Sequence, residues 1–189
     1  MFAALGMYAL TVIVSLLIIT FIVYPAILYF FTKRNIKDFY KTILPVQILA
    51  FSSSSSSATL PLTIECAEKG LNISNETASF VLPIGATVNM DGTSCYQSIA
   101  AVFLAQVIGI DLTLTQMLTI ILTSTLSSIG TPGIPGGSIV MVMIVLSSIG
   151  IPIESLALII GIDRPLDMLR TVTNVTGDTT VACIVDETI

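Results

Sequence analysis

The chain has 189 residues, of which 54% are hydrophobic and 10% charged, with a formal net charge of −5 and neither His nor Trp. A mean hydropathy of +0.98 excludes an ordinary water-soluble domain, and the lack of a basic domain excludes a nucleic-acid binder. Cys66, Cys95 and Cys183 are odd in number and far apart, so each reads as a small apolar residue and not as part of a disulfide framework or metal motif.

The first charge is Lys33, and residues 2–33 predict one spanning helix, longer than the about 20 apolar residues a bilayer requires. Pro25 predicts a kink near its inner end. The run is too long and too lightly flanked for a cleaved signal peptide. Lys33, Arg34, Lys37 and Lys41 crowd just after it and assign that loop to the cytoplasm. Residues 36–70 then read as two short arms around Ser52-Ser-Ser-Ser-Ser-Ser57-Ala-Thr-Leu-Pro61. Neither arm crosses comfortably alone, which predicts a re-entrant hairpin.

A serine run is elsewhere a flexible linker, but here apolar arms bracket it, and hydroxyls with free backbone N–H groups at a hairpin tip suit a carboxylate. Glu65 to Thr77 is polar and mixed in charge, which predicts a surface loop. Its Asn72-Ile-Ser and Asn75-Glu-Thr match the glycosylation pattern, but the same-side hairpin keeps them cytoplasmic. Asn174-Val-Thr also matches, inside a predicted membrane helix, so all three are coincidental.

Residues 76–110 form the next span, broken by Asn89-Met-Asp-Gly-Thr93. Unpaired backbone groups facing lipid cost several kcal/mol each. Unwound carbonyls beside a carboxylate instead make a hard-cation site: Asp91 supplies charge, and the carbonyls of Gly85 and Asn89 supply dipoles. Residues 112–150 read as a second hairpin with the tip Gly130-Thr-Pro-Gly-Ile-Pro-Gly-Gly137.

In the closing span, residues 152–185, Asp163, Asp167, Arg170, Asn174 and Asp178 are spaced 4, 3, 4 and 4 apart. They fall within roughly an 80° arc of one helix face. Ionisable groups at membrane depth are costly and face a protein interior or an ion pathway. Simple Asp167–Arg170 pairing at i, i+3 explains only part of the stripe. Asp178 with the Asn174 carbonyl can complete the cation site. This span too carries an Asn followed closely by Gly and Asp, so the order is hairpin, interrupted span, hairpin, interrupted span. If the second hairpin enters from the opposite side, the halves form an inverted repeat, the layout of many secondary transporters. The fold class is therefore an all-α membrane protein with two re-entrant helical hairpins.

The Ser-rich tip with Ala-Thr-Leu-Pro, Asn-Met-Asp-Gly-Thr, Gly-Ile-Pro-Gly-Gly, and Asp-Met-Leu-Arg-Thr…Asn-Val-Thr-Gly-Asp occur here in order. Together they closely resemble the glutamate/aspartate (dicarboxylate/amino acid:cation) symporters, over essentially the whole chain. The resemblance implies that residues 1–189 are part of a mobile transport (elevator) domain whose two hairpins gate a mid-membrane substrate. Asp167 would hold the substrate amino group, and Arg170 its side-chain carboxylate bidentately. Asn174, Thr93, Ser56 and the backbone of Ile134 and Ser138 would complete that pocket. One sodium would sit among Gly85, Asn89, Asn174 and Asp178. A second would lie between Thr87 and Met90 and the carbonyls of Ser128, Ile129 and Thr131. Asp91 and Asn89 would contribute to a third. No cofactor is implied beyond sodium as coupling ion. The resemblance further implies a multi-pass protein of the plasma or inner membrane, trimeric when full length, with scaffold helices that this short chain lacks.

Three departures stand out. Family members often carry an additional Arg in the first hairpin or one position into the Asp-x-x-Arg turn, where this chain has Ser54 and Met168. Arg164, four residues before Met168, is the basic residue left for that role. Gln97 stands where potassium-countertransporting animal members have Glu, and its neutrality argues against potassium countertransport.

The expected function is cation-coupled symport of L-glutamate or L-aspartate, with sodium as the cation, and no catalysis. A succinate-type or proton-coupled carrier is the alternative, although a substrate without an amine would leave Asp167 unpaired. An intramembrane aspartyl protease using Asp91 and Asp178 is a remote rival. Such proteases carry Gly-x-Gly-Asp, and Val175 occupies the first Gly position.

Overall fold

The computed structural model describes residues 2–189; Met1, which opens the expected 1–189 unit, lies outside the described residues. The described residues form helices and short connections, with no strand among them. The first apolar run is helical throughout but in three pieces: α1 (Phe2–Ile18), a π-helical segment (Ile19–Val23) and α2 (Tyr24–Phe31). Pro25 accounts for the disturbance, because it has no N–H to offer the carbonyl four residues back. The Tyr24 N–H reaches five residues back to the Ile19 carbonyl. That shift frees the Thr20 carbonyl, which accepts a hydrogen bond from the Tyr40 hydroxyl. The stretch Phe2–Phe31 is long and apolar enough to cross a membrane.

Asn35 caps α3 (Ile36–Ser53), its side chain accepting from the Lys37 and Asp38 N–H groups at 2.9 and 3.4 Å. The chain reverses at Ser54, in the left-handed region at φ 53°, and Ser55 caps α4 (Ser56–Leu71). These helices pack on each other as a hairpin. The polar stretch expected as a loop from Glu65 to Thr77 is instead mostly helical. Helix α4 continues through it, with Glu65 and Lys69 paired at 2.9 Å, until Asn72 turns left-handed at φ 54°. Ser74 then caps α5 (Asn75–Val88). Polarity here marks the exposed end of a helix, where i, i+4 pairs support the helical backbone.

The expected break between α5 and α6 (Asp91–Val107) is confined to Asn89 and Met90. A second hairpin follows from α7 (Leu114–Ile129) and α8 (Gly137–Ser148). A 3-10 turn, Ile153–Leu156, leads into α9 (Ala157–Thr188). The last span is therefore not interrupted, contrary to the expectation drawn from Asn174 and Gly177. Hydroxyls of Thr171, Thr176, Thr179 and Thr180 bond to carbonyls four residues earlier, at 2.7–2.9 Å, and satisfy polar groups inside the helix. Gly177 serves close packing there rather than unwinding.

Helix α9 is the axis of the fold and touches α1 to α6. One apolar cluster, with Val12, Tyr96, Leu104, Val145 and Leu166, gathers α1, α6, α7 and α8 around its N-terminal half. Another, with Leu28, Phe39, Ile43, Leu82 and Ala182, gathers α2 to α5 around its C-terminal end. The polar stripe lies between the two.

At the C-terminal end, Arg34 donates to the Leu71 carbonyl and pairs with Asp186 and Glu187 at 3.0 and 3.1 Å. Burial works against the charge of Asp186, but hydrogen bonds from Ser74 and the Arg34 guanidinium hold its carboxyl below the usual range. Large apolar side chains such as Leu10, Phe21, Leu118, Leu122 and Val140 remain exposed on the outer surface, as lipid or further protein would require.

A Cβ at position 177 would lie 2.5 Å from the Tyr24 hydroxyl and 2.7 Å from Asn89 Nδ2. Gly177→Ala should therefore cost about 1–3 kcal/mol through overpacking. Thermal unfolding in detergent should show a lowered midpoint, while Gly161→Ala, where nothing lies within 4 Å, should not lower it.

Candidate functional site

All five residues of the stripe on α9 are buried. Arg170 is only 1% exposed. Its Nη1 donates to Asp163 Oδ1 at 2.9 Å and its Nη2 to Asp167 Oδ1 at 3.0 Å. The guanidinium carbon stands 3.6 Å over the ring of Tyr96, and Nε has no partner among the described residues. The other oxygen of Asp167 accepts the Gly136 N–H of the second hairpin tip at 2.9 Å, with Arg164 Nη1 3.8 Å away. One carboxylate thus joins the central helix to a hairpin tip.

The two tips meet each other as well. Ser55 Oγ and the Ser57 N–H both donate to the Gly133 carbonyl, at 2.6 and 3.3 Å. Gly133 permits this approach, since a Cβ there would lie 2.8 Å from Ser57 Oγ. Beside the contact is a cleft of ≈ 20 Å³ lined by Ser54, Ser56, Thr93, Ser138, Asp167 and Asn174, among others. That is space for about one water. The hydroxyls of Ser54 and Ser138 are buried with no hydrogen-bond partner among the described residues.

Most of the expected substrate residues therefore converge. Arg170 is not on the cleft wall; it lies behind Asp167, spent on two carboxylates. Ile134 is at the edge, 57% exposed, and its N–H is taken by the Pro132 carbonyl at 2.8 Å. The tight turn of the tip consumes that donor, so the expected backbone contact from Ile134 is not free.

Around the break, Asp178 Oδ1 accepts Asn89 Nδ2–H at 2.9 Å, and the Gly85 carbonyl accepts the Asn89 N–H at 2.8 Å. A Cβ at Gly85 would sit 2.7 Å from Asp178 Oδ1, so only glycine lets α5 come this close. The Asn174 side chain turns toward α6 instead. Its Oδ1 accepts the Gly92 N–H at 2.8 Å, and its Nδ2 lies 3.3 Å from Thr93 Oγ1 and 3.2 Å from Met90 Sδ. Asp91 accepts the Tyr24 hydroxyl at 2.9 Å. Met90, Ser128 and Ile129, expected at a second cation, share a cavity of ≈ 380 Å³ with Asp91.

Thr87 and Thr131 do not line that cavity. The Thr87 hydroxyl bonds back to Ile84 O at 2.9 Å on an exposed face, and Thr131 lines the cleft between the tips. Among the described residues no three His, Cys, Asp or Glu side chains gather. A cation here would rest on carbonyl and hydroxyl oxygens with one or two carboxylates, a donor set for a hard ion.

Gln97 is fully buried, with its Oε1 accepting the Ser127 hydroxyl at 2.6 Å. The sequence reading missed Tyr96, Tyr24, Gly133 and Gly136 as parts of the site. Tyr96 was within reach of pattern reasoning, lying three residues after Thr93 on the same helical face. Tyr24 carried a weaker signal, a phenol within an apolar run beside a proline.

The description sodium:dicarboxylate symporter family matches residues 1–188. The chain is 49% identical to excitatory amino acid transporter 4 of Rattus norvegicus over 182 residues, which is 96% of this chain and 32% of that protein. It is 48% identical to excitatory amino acid transporter 1 of Ambystoma tigrinum, covering 96% and 34%. Identity to excitatory amino acid transporter 5 of Homo sapiens is 44%, covering 95% and 32%. The chain spans about a third of the length of these curated relatives. Four motifs in order, a buried ionic stripe and a match from end to end converge on one assignment: the chain belongs to the sodium:dicarboxylate symporter family, a family of membrane carriers.

Proposed function

We propose that this chain is the substrate-carrying part of a secondary carrier that moves L-glutamate or L-aspartate across the plasma or inner membrane with sodium, by alternating access. The observation that carries the reading is the cleft between the touching hairpin tips, with two unpaired hydroxyls, Ser54 and Ser138, and the Asp167 carboxylate on its walls. An unsatisfied buried hydroxyl costs about 1–3 kcal/mol, so both groups favour a polar ligand in the cleft. A cleft of ≈ 20 Å³ cannot hold an amino acid. The tips must part, at the Ser55–Gly133 and Asp167–Gly136 bonds, before substrate enters.

The Asp167–Arg170 pair explains why the substrate should be a zwitterion with a second acid. Substrate ammonium can replace Arg170 at Asp167, while the side-chain carboxylate replaces Asp167 at the planar guanidinium. Asp163 and Tyr96 continue to hold Arg170 during the exchange. Succinate would satisfy Arg170 but strand Asp167, at the cost of an unpaired buried charge. Sodium suits the oxygens around Gly85, Asn89, Asp91 and Asp178, and the family description names sodium. Asp91 and Asp178 take neutral donors from different elements, Tyr24 and Asn89, and a carrier family leaves no role for a protease dyad.

In this reading the two hairpins are re-entrant gates, the halves form an inverted repeat, and the full-length protein adds a scaffold and trimerises. Arg164 supplies the positive charge that many relatives place at the positions of Ser54 or Met168. Its side chain is half exposed, and its reach to Asp167 is 3.8 Å.

Three measurements on the full-length protein test this. Arg170→Ala should reduce aspartate uptake at least about a hundredfold, because it strands a buried carboxylate, while sparing neutral amino acids; unchanged aspartate uptake refutes the assignment. Calorimetry should show aspartate binding that strengthens with sodium and is not displaced by succinate. Sodium-independent affinity would put proton coupling in front, and succinate competition a dicarboxylate carrier. Arg164→Ala should raise the aspartate KM about two- to fivefold, the yield of a partly exposed ion pair, with neutral substrates unaffected.

A further inference from the structure

We propose that Tyr24 is a positioning residue for the coupling cation: its hydroxyl holds Asp91 in the orientation that binds the ion. The inference rests on the reading of Asp91 as a cation ligand and adds a contributor from the first helix, which none of the four sequence motifs includes. The Tyr24 hydroxyl donates to Asp91 Oδ2 at 2.9 Å, and no other hydrogen bond reaches this carboxylate among the described residues. Tyr24 is buried, whereas Asp91 opens onto the ≈ 380 Å³ cavity it shares with Met90, Ser128 and Ile129. One oxygen is thus fixed from behind while the other stays available on the open side.

The helix is shaped to deliver this phenol. The π segment ends at Val23, so Tyr24 is the first residue past the extra backbone atoms, and π turns inside helices recur at functional sites. The Thr20 backbone carbonyl anchors the segment by accepting the Tyr40 hydroxyl, a bond independent of the Thr20 side chain, which meets Thr173 Oγ1 at 3.0 Å. On the opposite wall Gly177 clears the space, since any Cβ there would strike both the Tyr24 hydroxyl and Asn89 Nδ2. That same Asn89 nitrogen holds Asp178. The two carboxylates expected to bind cations are therefore each aimed by one neutral donor, and both donors converge on Gly177 of α9. A phenol donates one hydrogen bond without neutralising the carboxylate, so it orients the ligand while leaving its charge for the ion.

The test is a sodium titration of aspartate uptake by the full-length protein carrying Tyr24→Phe, Asp91→Asn or Thr20→Val. Loss of an outer partner of a metal ligand typically costs about tenfold in affinity. Y24F should therefore raise half-saturating sodium about tenfold, while aspartate KM and maximal rate at saturating sodium stay within about twofold. D91N should shift the sodium dependence more strongly, and T20V should leave it unchanged. Wild-type sodium dependence in Y24F beside a shifted D91N overturns the role of Tyr24 and leaves the cation site standing. Unshifted dependence in D91N removes the cation reading of Asp91, and this inference with it. An equal shift in T20V assigns the effect to packing of the π segment and also overturns the proposal. Should Y24F not reach the membrane, 4-fluorophenylalanine at position 24 fills the place of the hydroxyl without donating; unchanged half-saturating sodium would again overturn the proposal.

Discussion

A guanidinium shut away from water must find its counter-charges inside the protein, and the rest of this structure is arranged around that requirement. Arg170 lies between two apolar clusters, held by Asp163 and Asp167 and stacked on Tyr96. Replacing such a group with apolar residues would generally cost no stability. Holding the fold together therefore does not account for its presence. Asp167 connects the charge network to the second hairpin tip, because its second oxygen is bound by the backbone of Gly136.

The second constraint is backbone polarity. Helices α5 and α6 stop and restart at Asn89 and Met90, and the first helix slips by one residue ahead of Pro25. Polar groups beside both irregularities meet α9, which itself stays unbroken: Thr20 Oγ1 reaches Thr173, and Asn89 Nδ2 and the Gly92 N–H donate to Asp178 and Asn174. A continuous α9 gives the stripe a fixed register, and the interrupted elements bring adaptable ligands to it. Glycines at 85, 133 and 177 mark where neighbours approach too closely for a side chain.

The resemblance to the acidic amino acid symporters and the order of elements were legible from hydropathy and four motifs. The interior placement of the five-residue stripe was legible too, because a helical repeat puts those residues on one face. The extent of the breaks was not. Asn174 and Gly177 look like Asn89 and Gly92 on paper, yet the former pair sits in unbroken helix. Threonine hydroxyls return to the α9 carbonyls, and Gly177 is needed as empty space. The polar run after Glu65 misled for a related reason, since an exposed helix end and a loop share one composition.

What the sequence determined by itself was local and periodic: where the chain is apolar, where glycine and proline punctuate it, and which polar groups share a face. Those properties follow from residue spacing and need no partner. Only the tertiary structure decided the partners: that Arg170 is held by Asp163 as well as Asp167, that Tyr24 rather than a nearby residue reaches Asp91, and that Gly133 lies between the two hairpin tips. The Tyr24 and Gly133 contacts join separate elements far apart in the chain, and within α9 the stripe alone does not say which carboxylates Arg170 takes. Which donor meets which acceptor there depends on how helices pack within ångströms, and spacing along the chain carries no record of that.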